Sequence, residues 1–112
     1  MDVHTDGSGK TGKYCYVIVG SNKPPRILRK DGITNNEAEY LAVIAALEEN
    51  KESEINILSD SQLMVKQLKQ EYAIKEDRLR ELAQKVWSLS EGRKITFTWI
   101  PREKNRAGKV LG

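Results

Sequence analysis

Three acidic residues, Asp6, Glu39 and Asp60, have the types and the spacing to form a metal site. Asp6 ends the short alternating stretch that begins the chain, Asp60 ends the apolar stretch EINILSD, and Glu39 lies about one turn into a long helical pattern. If the first and fourth strands are parallel neighbours, both aspartates lie at the same edge of a sheet. A helix packed over that edge can point Glu39 to the same place, so we expect the three side chains to cluster.

Clustered carboxylates repel one another, so they do not all stay ionised without a positive counter-charge. Oxygen ligands without a histidine or cysteine cluster favour Mg²⁺ or Mn²⁺ over zinc. Two such ions, about 3.5–4 Å apart, suit phosphodiester cleavage because one activates water and the other stabilises the leaving oxygen. Each acid alone is as well explained by a turn, a helix cap or a solvent-facing side chain, and it is their combination that indicates a site.

The stretch DGSGKTG, residues 6–12, contains the ending of a phosphate-binding P-loop. The position that should hold the opening glycine of that motif is His4. The stretch is followed by KYCYVIVG, which is typical of a strand, whereas a P-loop is followed by a helix. We therefore predict a hairpin turn here and no nucleotide-triphosphate site.

The chain is predicted to form one α/β domain, residues 1–112, with the element order β-β-β-α-β-α-α-β-α. Hairpins in the first half imply antiparallel strands, and strands alternating with helices in the second half imply parallel ones. The result is a mixed five-stranded sheet flanked by helices. The predicted strands are residues 1–6, 13–20, 26–32, 54–60 and 94–101, and the predicted helices are 34–50, 61–70, 75–89 and a helix or loop at 102–112.

The composition is that of an ordinary globular protein with a mild excess of positive charge. The 19 lysines and arginines against 16 acidic residues give a net charge of +3, which slightly favours a polyanionic partner. The single cysteine, Cys15, excludes an internal disulfide and a CxxC motif. That cysteine usage fits a reducing, cytoplasmic compartment. We find no charged-then-apolar leader and no apolar run of membrane-spanning length, so we expect no membrane contact. No obligate protein partner is evident, and we expect a monomer.

Three stretches resemble the signature blocks of the type 1 ribonuclease H family, in the same chain order: TDGS, TNNEAEYLAVIAAL and LSDSQLMVKQL. The resemblance runs from Val3 to about Asn105, and its middle block is the most specific. It implies a ribonuclease H-like fold with Asp6, Glu39 and Asp60 as catalytic, metal-binding residues. It also implies Mg²⁺-dependent hydrolysis of the RNA strand of an RNA/DNA hybrid, with two ions bound beside the substrate and with 5′-phosphate and 3′-hydroxyl products.

The same resemblance implies contacts with the hybrid at six further positions. By this resemblance, the hybrid's minor groove is contacted by Asn35, Asn36 and Gln62. The backbone of Gly7 and Ser8, together with Glu39, matches the groups that recognise the RNA 2′-hydroxyl. Thr34 matches a contact with a phosphate of the DNA strand. The 2′-hydroxyl is the group by which a protein distinguishes RNA from DNA. Residues such as Thr34 and Asn35 are also good helix caps in proteins that bind nothing.

The fourth metal position of the family is altered in this chain. Relatives commonly have an Asp near the start of the last helix, in an Asn-x-x-Ala-Asp-like string, whereas this chain reads NRAGKVLG. Alignment on the apolar leucine puts the position near Gly108 or Lys109, and loss of one loop residue puts it at Asn105. We predict that Asn105 is the fourth catalytic and metal-binding residue, through its amide oxygen, and helix capping is its alternative role.

Two further departures from the family concern the loop before the last helix and the binding of the hybrid. Many relatives have a histidine in the loop that reads PREKN here, and Gly32 replaces an arginine found in some relatives. The chain also lacks the basic helix that some members insert after the second helix. Affinity for the hybrid is then expected to depend on scattered cations and to fall steeply with salt. Examples are Lys66, Lys69, Arg102 and Lys104.

Two other kinds of protein compete with a nuclease of this family. A catalytically weak or inactive module that only binds RNA/DNA hybrids would explain the altered fourth position. A clustered negative site that faces phosphates has no use in such a module, which argues against it. A transposase or integrase core usually places a glutamate last of its three acids, and the order Asp, Glu, Asp disfavours that class.

Overall fold

The computed structural model describes residues 1–112 and confirms the predicted order of strands and helices. No helix in it is both long and apolar enough to cross a membrane. The strands are β1 (Asp2–Gly7), β2 (Lys13–Ile18), β3 (Arg26–Arg29), β4 (Glu54–Ser59) and β5 (Lys94–Trp99). The helices are α1 (Asn35–Glu49), α2 (Gln62–Leu68), α3 (Asp77–Ser90) and α4 (Arg106–Leu111), with a 3₁₀ turn at Arg102–Lys104.

The five strands form one mixed sheet in the order β3-β2-β1-β4-β5. β1 runs antiparallel to β2 and parallel to β4, with His4 opposite Leu58. β5 is parallel to β4 on its other side. This confirms the expected parallel pairing, so the carboxyl ends of β1 and β4 lie at one edge of the sheet. β2 and β3 end earlier than predicted because Gly20 and Gly32 turn the chain with φ angles of 78° and 75°.

Helix α1 begins at a capping box. The hydroxyl of Thr34 accepts a hydrogen bond from the amide of Glu37 (3.1 Å), and the carboxylate of Glu37 accepts one from the amide of Thr34 (3.3 Å). The helix is buried along most of its length because it contacts both the sheet and α3. The start of α1 is thereby fixed over the sheet edge that carries Asp6.

The two faces of the sheet are covered differently. One face packs against α1, α2 and α3 through a cluster of 16 buried residues that includes Val3, Ile57 and Leu82. Helix α4 contacts β1 and β2, and the thiol of Cys15 donates a hydrogen bond to the carbonyl oxygen of Ala107 (3.4 Å). Because successive strand residues point to opposite faces, α4 lies across the sheet from the main core.

Candidate active site

Asp6, Glu39 and Asp60 meet at the carboxyl edge of β1 and β4. Asp6 is the second-last residue of β1, Asp60 directly follows β4, and Glu39 is the fifth residue of α1. Each offers one carboxylate oxygen, and these oxygens all lie within 4.8 Å of one another. The predicted cluster therefore forms, with one carboxylate from each of three separate elements.

Gly7 allows β1 and α1 to approach closely enough for this meeting. A Cβ atom at Gly7 would lie 2.3 Å from the carbonyl carbon of Ala38 and 2.7 Å from the amide nitrogen of Glu39, which no side chain tolerates. Gly9 is similarly close, and its amide donates a hydrogen bond to Oδ1 of Asn35 (2.6 Å). The small residues after Asp6 therefore bring the end of β1 against the first turns of α1.

Burial and mutual repulsion make the negative charges of the cluster costly. Burial, followed by the charges of Asp6 and Asp60, raises the pKa of Glu39 to about 9. Burial and the charge of Asp60 also raise the pKa of Asp6. The Oε2 atom of Glu39 is buried and has no hydrogen-bond partner. A buried oxygen without a partner, among other carboxylates, fits an additional cation at this point.

The cluster forms one wall of an open cavity of about 520 Å³. Lys10 and Arg102 contribute positive charge to the same cavity, and Arg102 partly offsets the rise in the pKa of Asp6. Lys10 lies in the turn after β1, where sequence reasoning assigned it no role, although its position four residues after Asp6 was a usable signal. Anionic phosphates are the expected ligands of such cations.

The residues predicted to contact substrate divide into two groups in the structure. Gly7, Ser8 and Asn35 line the cavity with the three carboxylates. Thr34, Asn36 and Gln62 do not line it, and they lie at the starts of α1 and α2. Each of these three residues is at least partly exposed. Each lies at the helix end that is near the acidic cluster, so a long ligand can reach them. Their contacts with substrate stay predictions.

Asn105 is fully buried, and its side chain caps α4. Its Nδ2 donates a hydrogen bond to the carbonyl oxygen of Thr5 (2.9 Å), and its Oδ1 accepts from the amides of Ala107 (3.0 Å) and Gly108 (3.4 Å). The alternative role in capping is therefore present. The amide oxygen predicted to bind a metal already has two backbone donors, and its role as a ligand stays a prediction.

Gly108 is the residue of α4 that faces the acidic cluster. A Cβ atom at this position would lie 3.7 Å from Oδ2 of Asp6, which is ordinary contact distance. The alignment on the apolar leucine pointed to this part of α4. A carboxylate here would join the other three, whereas glycine leaves the space open.

Comparison with known proteins agrees with this geometry. The family model for RNase H matches residues 1–108. The crystal structure of RNase H1 from the archaeon Halobacterium salinarum superposes with a TM-score of 0.83, at 28% identity over 98% of this chain and 92% of that one. LC11-RNase H1, solved in complex with an RNA/DNA hybrid, gives a TM-score of 0.79 at 26% identity, over 99% of both chains.

Curated relatives are longer proteins. The chain is 36% identical over 76 residues to the bifunctional protein Rv2228c of Mycobacterium tuberculosis, covering 64% of this chain and 21% of that protein. It is also 26% identical to the Pol polyprotein of equine infectious anemia virus (isolate 1369). That match covers 99% of this chain but only 10% of the polyprotein. With the family match over residues 1–108 and the shared fold, these similarities show that the chain belongs to the ribonuclease H family of enzymes.

Proposed function

We propose that this chain hydrolyses the RNA strand of RNA/DNA hybrids as an endonuclease that depends on a divalent metal. The observation that carries the proposal is the group of three carboxylates within 4.8 Å, with an unpartnered buried oxygen on Glu39. Membership of the family and the hybrid bound to LC11-RNase H1 support the choice of substrate. The proposed products carry 5′-phosphate and 3′-hydroxyl ends.

The residues present fit Mg²⁺ or Mn²⁺. Asp6, Glu39 and Asp60 would hold the metal, with two ions proposed when the hybrid is bound and with Asn105 as a proposed additional ligand. Hard oxygen ligands suit these ions, and a cation would relieve the repulsion that raises the pKa of Glu39. When bound, such ions polarise the scissile phosphate and activate water for attack.

Other residues of the cavity would position the hybrid. Lys10 and Arg102 carry the positive charges that bind phosphates of either strand. Asn35 uses its Oδ1 to accept the amide of Gly9, which leaves its Nδ2 for an acceptor in the minor groove. The backbone at Gly7 and Ser8, beside Glu39, is the proposed site for the RNA 2′-hydroxyl. Thr34, Asn36 and Gln62 would extend this surface along the duplex.

The test is cleavage of a labelled RNA/DNA hybrid with Mg²⁺ and, separately, with Mn²⁺. Double-stranded RNA and double-stranded DNA are the control substrates, and mass spectrometry of the fragments identifies the product ends. We expect hybrid-only cleavage that Asp6→Asn abolishes. Asp31→Asn, which makes the same change at an exposed site, should leave cleavage intact.

The second candidate function is a module that binds hybrids without cleaving them. It is favoured by one observation, the glycine at position 108 where α4 faces Asp6 without a fourth carboxylate. Retained hybrid binding with no cleavage in either metal would establish this function and exclude the nuclease.

A further inference from the structure

A second cavity, of about 400 Å³, lies between α3 and the end of α2 with the segment that follows it. It shares no residue with the acidic cavity. Its wall combines polar amides, a cation and two aromatic rings. The residues that matter here are Gln67, Gln70, Tyr72, Arg80, Gln84 and Trp87.

Gln67 presents an amide to the cavity, and the protein uses only the oxygen of that amide. Its residue is 5% exposed, and its Oε1 accepts a hydrogen bond from the hydroxyl of Tyr40 (2.8 Å). No protein group accepts a hydrogen bond from its Nε2. Gln67 lines the cavity, so this amide N–H is available to an acceptor that enters it.

The two aromatic rings offer surfaces for stacking. Trp87 is held in place because its indole N–H donates to the carbonyl oxygen of Leu68 (3.0 Å). Tyr72 is 50% exposed, and the ammonium of Lys66 lies 4.9 Å from the centre of its ring. Aromatic rings, an arginine and glutamine amides are together the groups that stack on nucleobases and bind their edges.

Gln70 adopts a backbone conformation that favours glycine. Its φ is 63°, and it ends α2 with the paired hydrogen bonds from Gln70 N to Gln67 O (3.0 Å) and from Glu71 N to Lys66 O (2.9 Å). A side chain at this position costs stability, and such costs concentrate at functional sites. The side chain that is retained here lines the cavity.

The cavity lies one short helix away from the acidic cluster, because α2 starts beside Asp60 and its end lines the cavity. Helix α2 begins two residues after Asp60 and has seven residues, so it spans about 10 Å, or about three nucleotides of one strand. Lys66 and Lys69 lie along the same segment and can bind phosphates on the way. A strand on the acidic cluster can therefore continue to the cavity.

We propose that this cavity binds an unpaired nucleobase, supplied by a single strand that continues beyond the hybrid. The base would stack on Trp87 and Tyr72 and accept a hydrogen bond from Nε2 of Gln67. The proposal rests on the proposed function for the adjoining hybrid surface, and it adds to that function a preference for hybrids with single-stranded extensions.

The experiment compares three hybrids without divalent metal: one with blunt ends, one with a three-nucleotide extension, and one whose extension has the same phosphates but abasic sugars. Extensions of both polarities are used. Trp99→Phe leaves Trp87 as the sole tryptophan and the fluorescent reporter. We expect the extension with bases to quench Trp87 and to bind about 5- to 10-fold tighter than the abasic one, since stacking on an aromatic side chain favours each base.

Variants separate binding in the cavity from general effects. Tyr72→Ala and Gln84→Ala should reduce the preference to less than about twofold, whereas Ser88→Ala, outside the cavity on the same helix, should not change it. Gln70→Gly should raise the melting temperature and weaken the preference, so its loss of binding would not come from misfolding. All four should cleave a blunt hybrid as wild type does.

Equal binding of the two extensions by wild type, or a preference that survives both Tyr72→Ala and Gln84→Ala, would overturn the proposal. Quenching of Trp87 by a free mononucleotide to the same extent would support a nucleobase site and identify free nucleotides as its source. The proposed function is tested by a different measurement, the cleavage of the hybrid in Mg²⁺ and Mn²⁺. Absence of cleavage would contradict that function whatever the fluorescence of Trp87 shows.

Discussion

Glu39 is the residue at which the metal-free site is least stable. Its Oε2 atom is buried and two like charges lie beside it, so its pKa rises to about 9 from an ordinary 4.5. The folded protein therefore keeps a proton on Glu39 that the unfolded chain releases above its ordinary pKa. The stability that this proton provides is lost as the pH rises from 4.5 toward 9.

We expect Glu39→Gln to stabilise the metal-free protein at about pH 8, by about 2 kcal/mol or about 8 °C in melting temperature. Glutamine has the shape of the protonated acid and cannot ionise. The difference should vanish near the ordinary pKa of 4.5, and Mg²⁺ at the higher pH should stabilise wild type but not the variant. Thermal melts at the two pH values measure this, with Glu48→Gln as an exposed control. An advantage that is the same at both pH values would contradict the explanation.

Gly108 and Asn105 divide between them the features expected of the fourth metal position. Asn105 has the oxygen, but two backbone amides already donate to it. Gly108 has the place, beside Asp6, but no side chain. In the family pattern a single acidic residue provides both the oxygen and the position beside the cluster. Substitutions at Asn105 and Gly108 can therefore test these two features separately.

Gly108→Asp should tighten Mn²⁺ binding by about tenfold, because ligand charge sets the affinity of oxygen sites for hard cations. The metal-free variant should be less stable than wild type, since it adds a fourth carboxylate to the cluster. Calorimetric titration with Mn²⁺ measures the first effect, and Gly108→Asn is the uncharged control. Unchanged affinity would show that position 108 does not reach the metal.

Asn105→Ala should destabilise the protein by about 2–3 kcal/mol, because it removes the cap of α4 and the hydrogen bond to Thr5. Urea denaturation measures this loss. Mn²⁺ titration of the folded variant decides the role that stays open. Reduced affinity would make Asn105 a ligand as well as a cap, and unchanged affinity would leave a site of three carboxylates.

At the scale of elements, the site depends on how closely β1 and α1 approach. The contact has no room for a side chain at Gly7, and the hydrogen bond from Gly9 to Asn35 fixes the same junction. On the opposite face of the sheet, α4 is anchored by the cap from Asn105 and by the amide of Arg106, which donates to Nδ1 of His4 (2.9 Å). The only histidine thus serves to hold a helix and lies outside the acidic cavity.

Gly7→Ala should cost about 3 kcal/mol of stability and most of the cleavage activity, because the new methyl group pushes α1 and Glu39 away from Asp6. Gly108→Ala is the matched control. Its Cβ meets only ordinary contacts within a helix, so we expect it to stabilise the protein by about 0.5–1 kcal/mol. Urea denaturation and hybrid cleavage measure the two effects. Equal stability of both variants would show that the approach at Gly7 is not tight.

For the molecule as a whole, the small net charge of +3 hides an uneven arrangement. Three acids form one wall of the active-site cavity, and Lys10 and Arg102 line the same cavity. Binding of a polyanion to such a surface releases counterions, and each phosphate contact contributes about −0.9 to the slope of log affinity against log salt for B-form DNA.

We expect a slope of about −4 for the hybrid, which corresponds to about a 250-fold loss of affinity between 50 and 200 mM salt. Lys10→Ala and Arg102→Ala should each reduce the slope by about one. Lys51→Ala, which removes the same charge after the far end of α1, should leave it unchanged. Fluorescence anisotropy without divalent metal measures the slopes. Equal slopes for all variants would place the phosphates elsewhere on the surface.

The sequence by itself determined the elements and the acidic cluster. Strand and helix patterns identified every element in order, and the errors at the ends of β2 and β3 came from glycines whose positive φ angles are a property of the folded chain. Asp6 and Asp60 could be placed together because each ends a strand, and parallel pairing brings strand ends to one edge. Glu39 followed from its position one turn into α1.

Only the tertiary structure decided which side chains face a cavity and which are buried between packed elements. Asn105 and Gly108 are three residues apart, and their different surroundings follow from how α4 rests on β1 and β2, which no local pattern encodes. The cavity between α2 and α3 arises in the same way, since its amides and rings come from two helices and the segment joining them. Local sequence sets hydrogen-bonding and burial preferences, whereas a site's geometry depends on contacts between residues far apart in the chain.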